Sequence, residues 1–99
     1  MAEYKVIGKN GKELHTDVIL HPGEVLAEEL EARGIVQKDF ASLVDMRPPH
    51  FNELLKGKRH ISALLALKLE IQLGIDAKFW MRLQVDYDLK QARKQFKVA

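Results

Sequence analysis

From residue 21 onward apolar residues recur at helical spacing, and residues that start and stop helices cut the stretch into five segments. Pro22 suits a first helical position, where its missing N–H would be unpaired anyway. Val25, Leu26 and Leu30 then form a stripe, Glu24 complements the first turn, and Gly34 offers a left-handed stop, so the first helix is expected over 22–33. Phe40, Ala41 and Val44 share a face of a short second helix over 37–44. After a break at Asp45, Met46 and Arg47, the pair Pro48-Pro49 opens a third helix whose Phe51, Leu54 and Leu55 face inward before Gly57 ends it. Ser62 caps a fourth over 63–73, closed by Gly74, and Asp76 caps a fifth running to residue 93. Residues 94–99 are expected to fray.

The fourth helix has two apolar faces. Ala63, Ala66, Leu69 and Leu73 form the expected inner stripe, while Leu64, Leu67 and Ile71 lie on a second side. A helix apolar on two sides has two neighbours, so the second face is a candidate dimer or partner interface unless the fifth helix or the N-terminal stretch covers it. Phe79, Trp80, Leu83 and Tyr87 read as core of the fifth helix.

The first 20 residues follow another period: Tyr4, Val6 and Ile7, then Asn10-Gly11, then Leu14, Thr16, Val18 and Ile19. Asn-Gly between β-favouring runs is a hairpin signal, but a lone ribbon is marginal in water. Residues 1–20 are therefore expected as an N-terminal extension, either a weak hairpin or disordered.

Composition narrows the class. At 99 residues the chain is one small domain with a modest core, too short for a large multi-domain enzyme and helped by dimerisation. It has no cysteine, so disulfides and thiolate metal sites are excluded. With no apolar signal core and no long uncharged apolar run, the expected localisation is cytoplasmic, with no membrane association. The net charge of +2 is uninformative until it is resolved along the chain. Residues 21–46 carry two basic and six acidic groups, whereas 47–60 carry four basic groups and one acid, and 61–99 carry seven and four.

The basic stretch coincides with a spacing that bears on function. Two short helices joined by a tight turn and followed by Lys56-Gly57-Lys58-Arg59-His60 have the layout of a helix-turn-helix, whose second helix enters the major groove. With Phe51, Leu54 and Leu55 inward, Pro49, His50, Asn52, Glu53 and Lys56 face out. Asn pairs with adenine, Glu accepts from the cytosine amino group, and Lys56, Lys58 and Arg59 supply phosphate contacts. The competing reading is a solvated corner of a bundle.

The residues His21-Pro22-Gly23-Glu24-Val25-Leu26, Phe40-Ala41, Asn52-Glu53, Gly57-Lys58-Arg59-His60-Ile61-Ser62, Leu67, Leu73-Gly74, Phe79-Trp80 and Tyr87-Asp88-Leu89 together resemble the HigA-type antitoxins, Cro/repressor-like proteins of toxin–antitoxin modules. The resemblance spans residues 20–92. It implies an all-α, five-helix repressor-like helix-turn-helix domain over 21–93 that dimerises, binds its own operator DNA and neutralises a cognate toxin, a HigB-like ribosome-dependent endoribonuclease. The candidate DNA-binding set is Gln37, Arg47, Pro49, His50, Asn52, Glu53, Lys56, Lys58 and Arg59, and the candidate dimer or partner interface is Leu64, Leu67 and Ile71.

The chain departs from the family pattern in three places. Val36 stands where a Ser or Thr caps the second helix, Asp45 stands where the turn has Gly, and Arg47-Pro48-Pro49 replaces a Ser and a base-reading basic residue. The prolines remove two N–H groups that could hold a phosphate. That leaves two function classes open: a DNA-binding autorepressor and antitoxin, or an interaction module that neutralises a partner without binding DNA specifically.

An enzyme is not expected. Glu28, Glu29 and Glu31 read as a solvated face of the first helix, one whose charge suits a basic, RNA-cleaving toxin. His15, His21, His50 and His60 are scattered without metal-ligand spacing, so no metal and no cofactor are expected. His21 is assigned to the start of the first helix.

Overall fold

A computed structural model describes residues 20–98. The expected N-terminal hairpin or disordered extension therefore lies outside the described residues, apart from Leu20, which is exposed. Five helices follow: α1 (Pro22–Arg33), α2 (Gln37–Leu43), α3 (Pro48–Leu55), α4 (Ala63–Leu73) and α5 (Ala77–Val98). The class is all-α, and the boundaries follow the local chemistry read from the chain. Gly34 and Gly74 close α1 and α4 in the left-handed conformation. The Ser62 hydroxyl accepts from the Leu65 N–H at 3.1 Å.

Two carboxylates satisfy the first N–H groups of α5. Asp76 Oδ1 accepts from Lys78 N, and Glu70 Oε1, reaching over from α4, accepts from Ala77 N, both at 2.7 Å. At the other end α5 continues to Val98, beyond residue 93, where the sequence reading placed its end and a frayed tail. No Gly or Pro follows Asp76, so nothing local interrupts the helical ladder.

The core is built from one stripe of each helix. Leu26 and Leu30 of α1, Phe40 and Ala41 of α2, Phe51 and Leu54 of α3, Leu65, Ala66, Leu69 and Leu73 of α4, and Trp80 of α5 are all buried, with Val44 and Ile61 from the connections. The Phe40 and Phe51 rings tie α2 to α3 with centroids 5.8 Å apart. In α4 the inner stripe is corrected at one place. Ala63 is exposed and Leu65 is buried, because Leu65 lies one turn from Leu69 on the same face whereas Ala63 is about a third of a turn away. Trp80 is fully buried, but Phe79 is exposed and meets Trp80 only edge-on, with ring centroids 5.3 Å apart. Leu83 and Tyr87 are half-buried.

The start of α1 is clamped between the end of α3 and α5. His21 is the N-cap of α1, and its Nδ1 accepts from the Gly23 N–H at 2.8 Å. A Cβ on Gly23 would sit 1.8 Å from the Leu54 carbonyl oxygen, so only glycine allows α1 to approach α3 this closely. The buried His21 ring meets Tyr87 of α5 edge-on at 4.6 Å between centroids. A second brace runs from the loop to α5: buried Gln84 accepts from the Ile61 N–H at 2.7 Å and donates to Asp88 Oδ1 at 3.1 Å. These contacts fix the segment that follows α3.

Candidate nucleic-acid interface

The turn between α2 and α3 is made by Asp45 in the left-handed conformation, φ 59°. Asp tolerates this conformation better than most non-glycine residues, and the turn survives the absence of a glycine. Val36 caps α2 without a side-chain hydrogen bond, and Arg47 precedes α3 in the same condition, with Pro48 and Pro49 filling its first two positions. The front of α3 therefore offers little of the N–H array that makes other helix starts anion sites.

The rest of α3 is arranged as the sequence pattern requires. Phe51 and Leu54 are buried and Leu55 half-buried, so the opposite side carries Pro49, His50, Asn52, Glu53 and Lys56. Pro49, Glu53 and Lys56 are exposed; His50 and Asn52 are half-buried. Gln37 is half-buried at the first position of α2, while Arg47, Lys58 and Arg59 are exposed.

The helix ends in a motif that turns the chain back over its last turn. Gly57 has φ 81°, its N–H donates to the Leu54 carbonyl at 3.0 Å, and the Lys58 N–H donates to the Glu53 carbonyl at 2.9 Å. This is the paired-bond geometry of a Schellman cap. Gly57 is further confined because a Cβ there would lie 3.4 Å from the His21 ring.

The return of the chain joins two of the residues singled out from sequence. Arg59 Nε donates to Glu53 Oε1 at 2.7 Å. The bond to Arg59 is the foremost reason that the Glu53 carboxyl is held below its ordinary range, with the charges of Arg59, His50 and Lys58 acting in the same direction. Beside this pair, an open cleft of about 420 Å³ lies between the α2–α3 turn, the basic loop and the start of α4; Lys58, Arg59, His60 and Lys68 line it. Lys68 pairs with Asp45 at 3.2 Å. The sequence reading missed Lys68, whose signal was only its position one turn beyond Leu64, as the one basic residue of α4.

The second face of α4 is open among the described residues. Leu64, Leu67 and Ile71 are 63%, 53% and 78% exposed, so α5 covers the other side of the helix and not this one. A further apolar stripe, absent from the sequence reading, runs down α5 through Val85, Leu89 and Phe96, all exposed. Its signal was available in the chain, since residues 85, 89, 92 and 96 follow the alternating spacing of four and three that marks a helix seam.

No metal-binding cluster of three or more His, Cys, Asp or Glu residues occurs among the described residues. Among those residues, no helix is long and apolar enough to cross a membrane.

Two short helices joined by a tight turn, the second bearing a polar outer face and a basic loop, define a helix-turn-helix protein. No family model matches the chain. It is 38% identical over 76 residues to virulence-associated protein I of Dichelobacter nodosus, covering 76% of this chain and 70% of that one. Among solved structures it is similar to an addiction-module antidote protein of the HigA family from Coxiella burnetii, with 36% identity, a TM-score of 0.72 and coverage of 78% and 85% of the two chains. The Pseudomonas aeruginosa antitoxin HigA, solved with the higBA promoter, matches with 33% identity, a TM-score of 0.74 and coverage of 79% and 86%. The chain belongs to the HigA family of antitoxins.

Proposed function

We propose that this protein is an antitoxin that binds operator DNA as a dimer, represses its own operon and neutralises a HigB-like ribosome-dependent endoribonuclease, working through residues 21–93 in the cytoplasm. The observation that carries the DNA half is the polar face of α3 continued by the basic loop, on a fold shared with a HigA structure that contains promoter DNA. Asn52 and His50 are the base-edge candidates of that face, and Lys56, Lys58 and Arg59 supply the salt-sensitive phosphate contacts, with Gln37 and Arg47 at the flanks. The open face of α4, Leu64, Leu67 and Ile71, is the proposed seam between two copies. The acidic outer side of α1, carried by Glu28, Glu29 and Glu31, suits a basic partner such as an RNA-cleaving enzyme.

A gel-shift titration on the promoter upstream of the gene, at two salt concentrations, tests the DNA half. Binding should prefer the promoter, weaken as salt rises, and be lost in the Lys58→Ala/Arg59→Ala double variant. Promoter affinity no better than that for a scrambled duplex would remove it. For the toxin half, reversing the charge of Glu28, Glu29 and Glu31 to Lys should weaken capture of the co-expressed toxin; capture at full strength would reject α1 as the contact.

One observation favours a second reading. Pro48 and Pro49 leave α3 without the first N–H donors and without a side-chain cap, which suits an interaction module that neutralises its partner without specific DNA binding. The same titration separates the two.

A further inference from the structure

We infer that Glu53 is a positioning residue for Arg59, holding its guanidinium toward the DNA, and that it does not itself read a base. The inference rests on the DNA-binding reading above and refines which residues of that face touch DNA.

Glu53 is bound to the loop at two points. Its backbone carbonyl accepts from the Lys58 N–H at 2.9 Å, and its carboxylate accepts from Arg59 Nε at 2.7 Å. The carboxylate is thus turned toward the loop by a charge-assisted bond. Arg59 gives only Nε to this bond, so its terminal nitrogens keep the forked edge that matches a phosphate or the acceptor edge of guanine.

Charge points the same way. Glu53 is the one acid among residues 47–60, and it is ionised at neutral pH, with the bond to Arg59 the foremost reason its carboxyl lies below the ordinary range. An unpaired carboxylate on a face that meets a polyanion opposes binding. Paired with Arg59, it instead removes rotational freedom from a long side chain that would otherwise have to be ordered at the moment of binding. The pair is exposed on both sides, 43% and 49%, and such surface pairs contribute little to folding. Its geometry is therefore better explained by what Arg59 does at the surface than by stability.

A double-mutant cycle in DNA binding tests this. Wild type, Glu53→Gln, Arg59→Ala and the double variant are titrated on the promoter duplex and on a scrambled duplex of equal length, over a series of salt concentrations, and their melting transitions are compared. Glu53→Gln should lower affinity for the promoter and scrambled duplexes alike, several-fold, while melting like wild type. Arg59→Ala should reduce the slope of log affinity against log salt by about 1. In the Arg59→Ala background, Glu53→Gln should cause no further loss, and removing the now unpaired carboxylate should raise affinity for both duplexes alike. A Glu53→Gln loss that persists in that background, or that is confined to one base pair of the promoter, would make Glu53 a direct reader and overturn the inference. Melting lowered in step with the lost binding would assign the pair to the fold and overturn it as well. If wild type itself shows no preference for the promoter, the DNA-binding reading fails first and the inference falls with it, before any variant is compared.

Discussion

At the scale of single residues, His21 links helix start, packing and protonation. Its Nδ1 serves as the acceptor that an N-cap needs, so the ring is neutral with its proton on buried Nε2. Burial is the main reason its pKa lies below the ordinary 6.5, with His60 acting in the same direction and Glu24, Asp88 and a hydrogen bond to the Arg59 backbone opposing. A histidine with a lowered native pKa takes up its proton first in the unfolded chain. Its contribution to stability is therefore present above the unfolded value of 6.5 and is lost as the pH falls through it toward the lower native value. His21→Asn keeps a capping acceptor but cannot titrate and forfeits the contact with Tyr87. Urea melts across pH should show a variant about 1–2 kcal/mol less stable near neutrality, with a shallower loss of stability on acidification. An unchanged slope would place the pH dependence elsewhere. Sequence placed His21 at the start of α1, because Pro22 and Gly23 mark that boundary; its burial against Tyr87 was not legible, since Tyr87 lies far along the chain and only the packing of α1 on α5 brings the two together.

At the scale of elements, the chain's punctuation was legible and its lateral packing less so. Gly34, Gly57, Ser62, Gly74 and Asp76 mark helix ends through backbone conformation and capping, both local effects, and the helices begin and stop beside them. The phase of α4 was read wrongly at Ala63 because two apolar faces compete on that helix and only the neighbours decide which turns inward. The Glu53–Arg59 pair was out of reach for a similar reason: its partners are brought together by the left-handed turn at Gly57, not by helical spacing. Two element-level predictions follow from the departures at the ends of α2 and α3. Val36 is exposed and already has the extended backbone of an N-cap, so Val36→Thr should stabilise the protein by about 1 kcal/mol, seen as a melting point about 4–8 °C higher for a domain of this size. No gain would mean that α2 is held by Phe40 and Ala41 alone. Pro49→Ser restores an N–H at the front of α3 and should raise affinity for promoter and scrambled duplexes alike, because a phosphate contact carries no sequence information. Equal binding by wild type and variant would keep the front of α3 away from the DNA backbone.

At the scale of the whole molecule, a near-neutral total hides a separation of charge. Residues 21–46 are acidic and 47–60 basic, so α1 and the α3 loop suit partners of opposite sign on a single small body. Such a body presents one recognition helix. A helix-turn-helix gains affinity and register from a second copy placed one helical turn of DNA away, so the proposed dimer would make its seam part of the DNA-binding machinery. Two apolar surfaces compete for that role: the α4 face of Leu64, Leu67 and Ile71, and the α5 stripe of Val85, Leu89 and Phe96. The α4 face is the more compact, and charging it tests the choice directly. Leu64→Glu/Ile71→Glu alters no core side chain, so its helix content should match wild type. Its mass by sedimentation should fall to that of a monomer, and its promoter affinity should drop steeply although Lys58 and Arg59 are untouched. The matched variant Val85→Glu/Phe96→Glu should remain a dimer. If instead the α5 variant is the one that dissociates, the seam runs along α5 and the α4 face is left for the toxin.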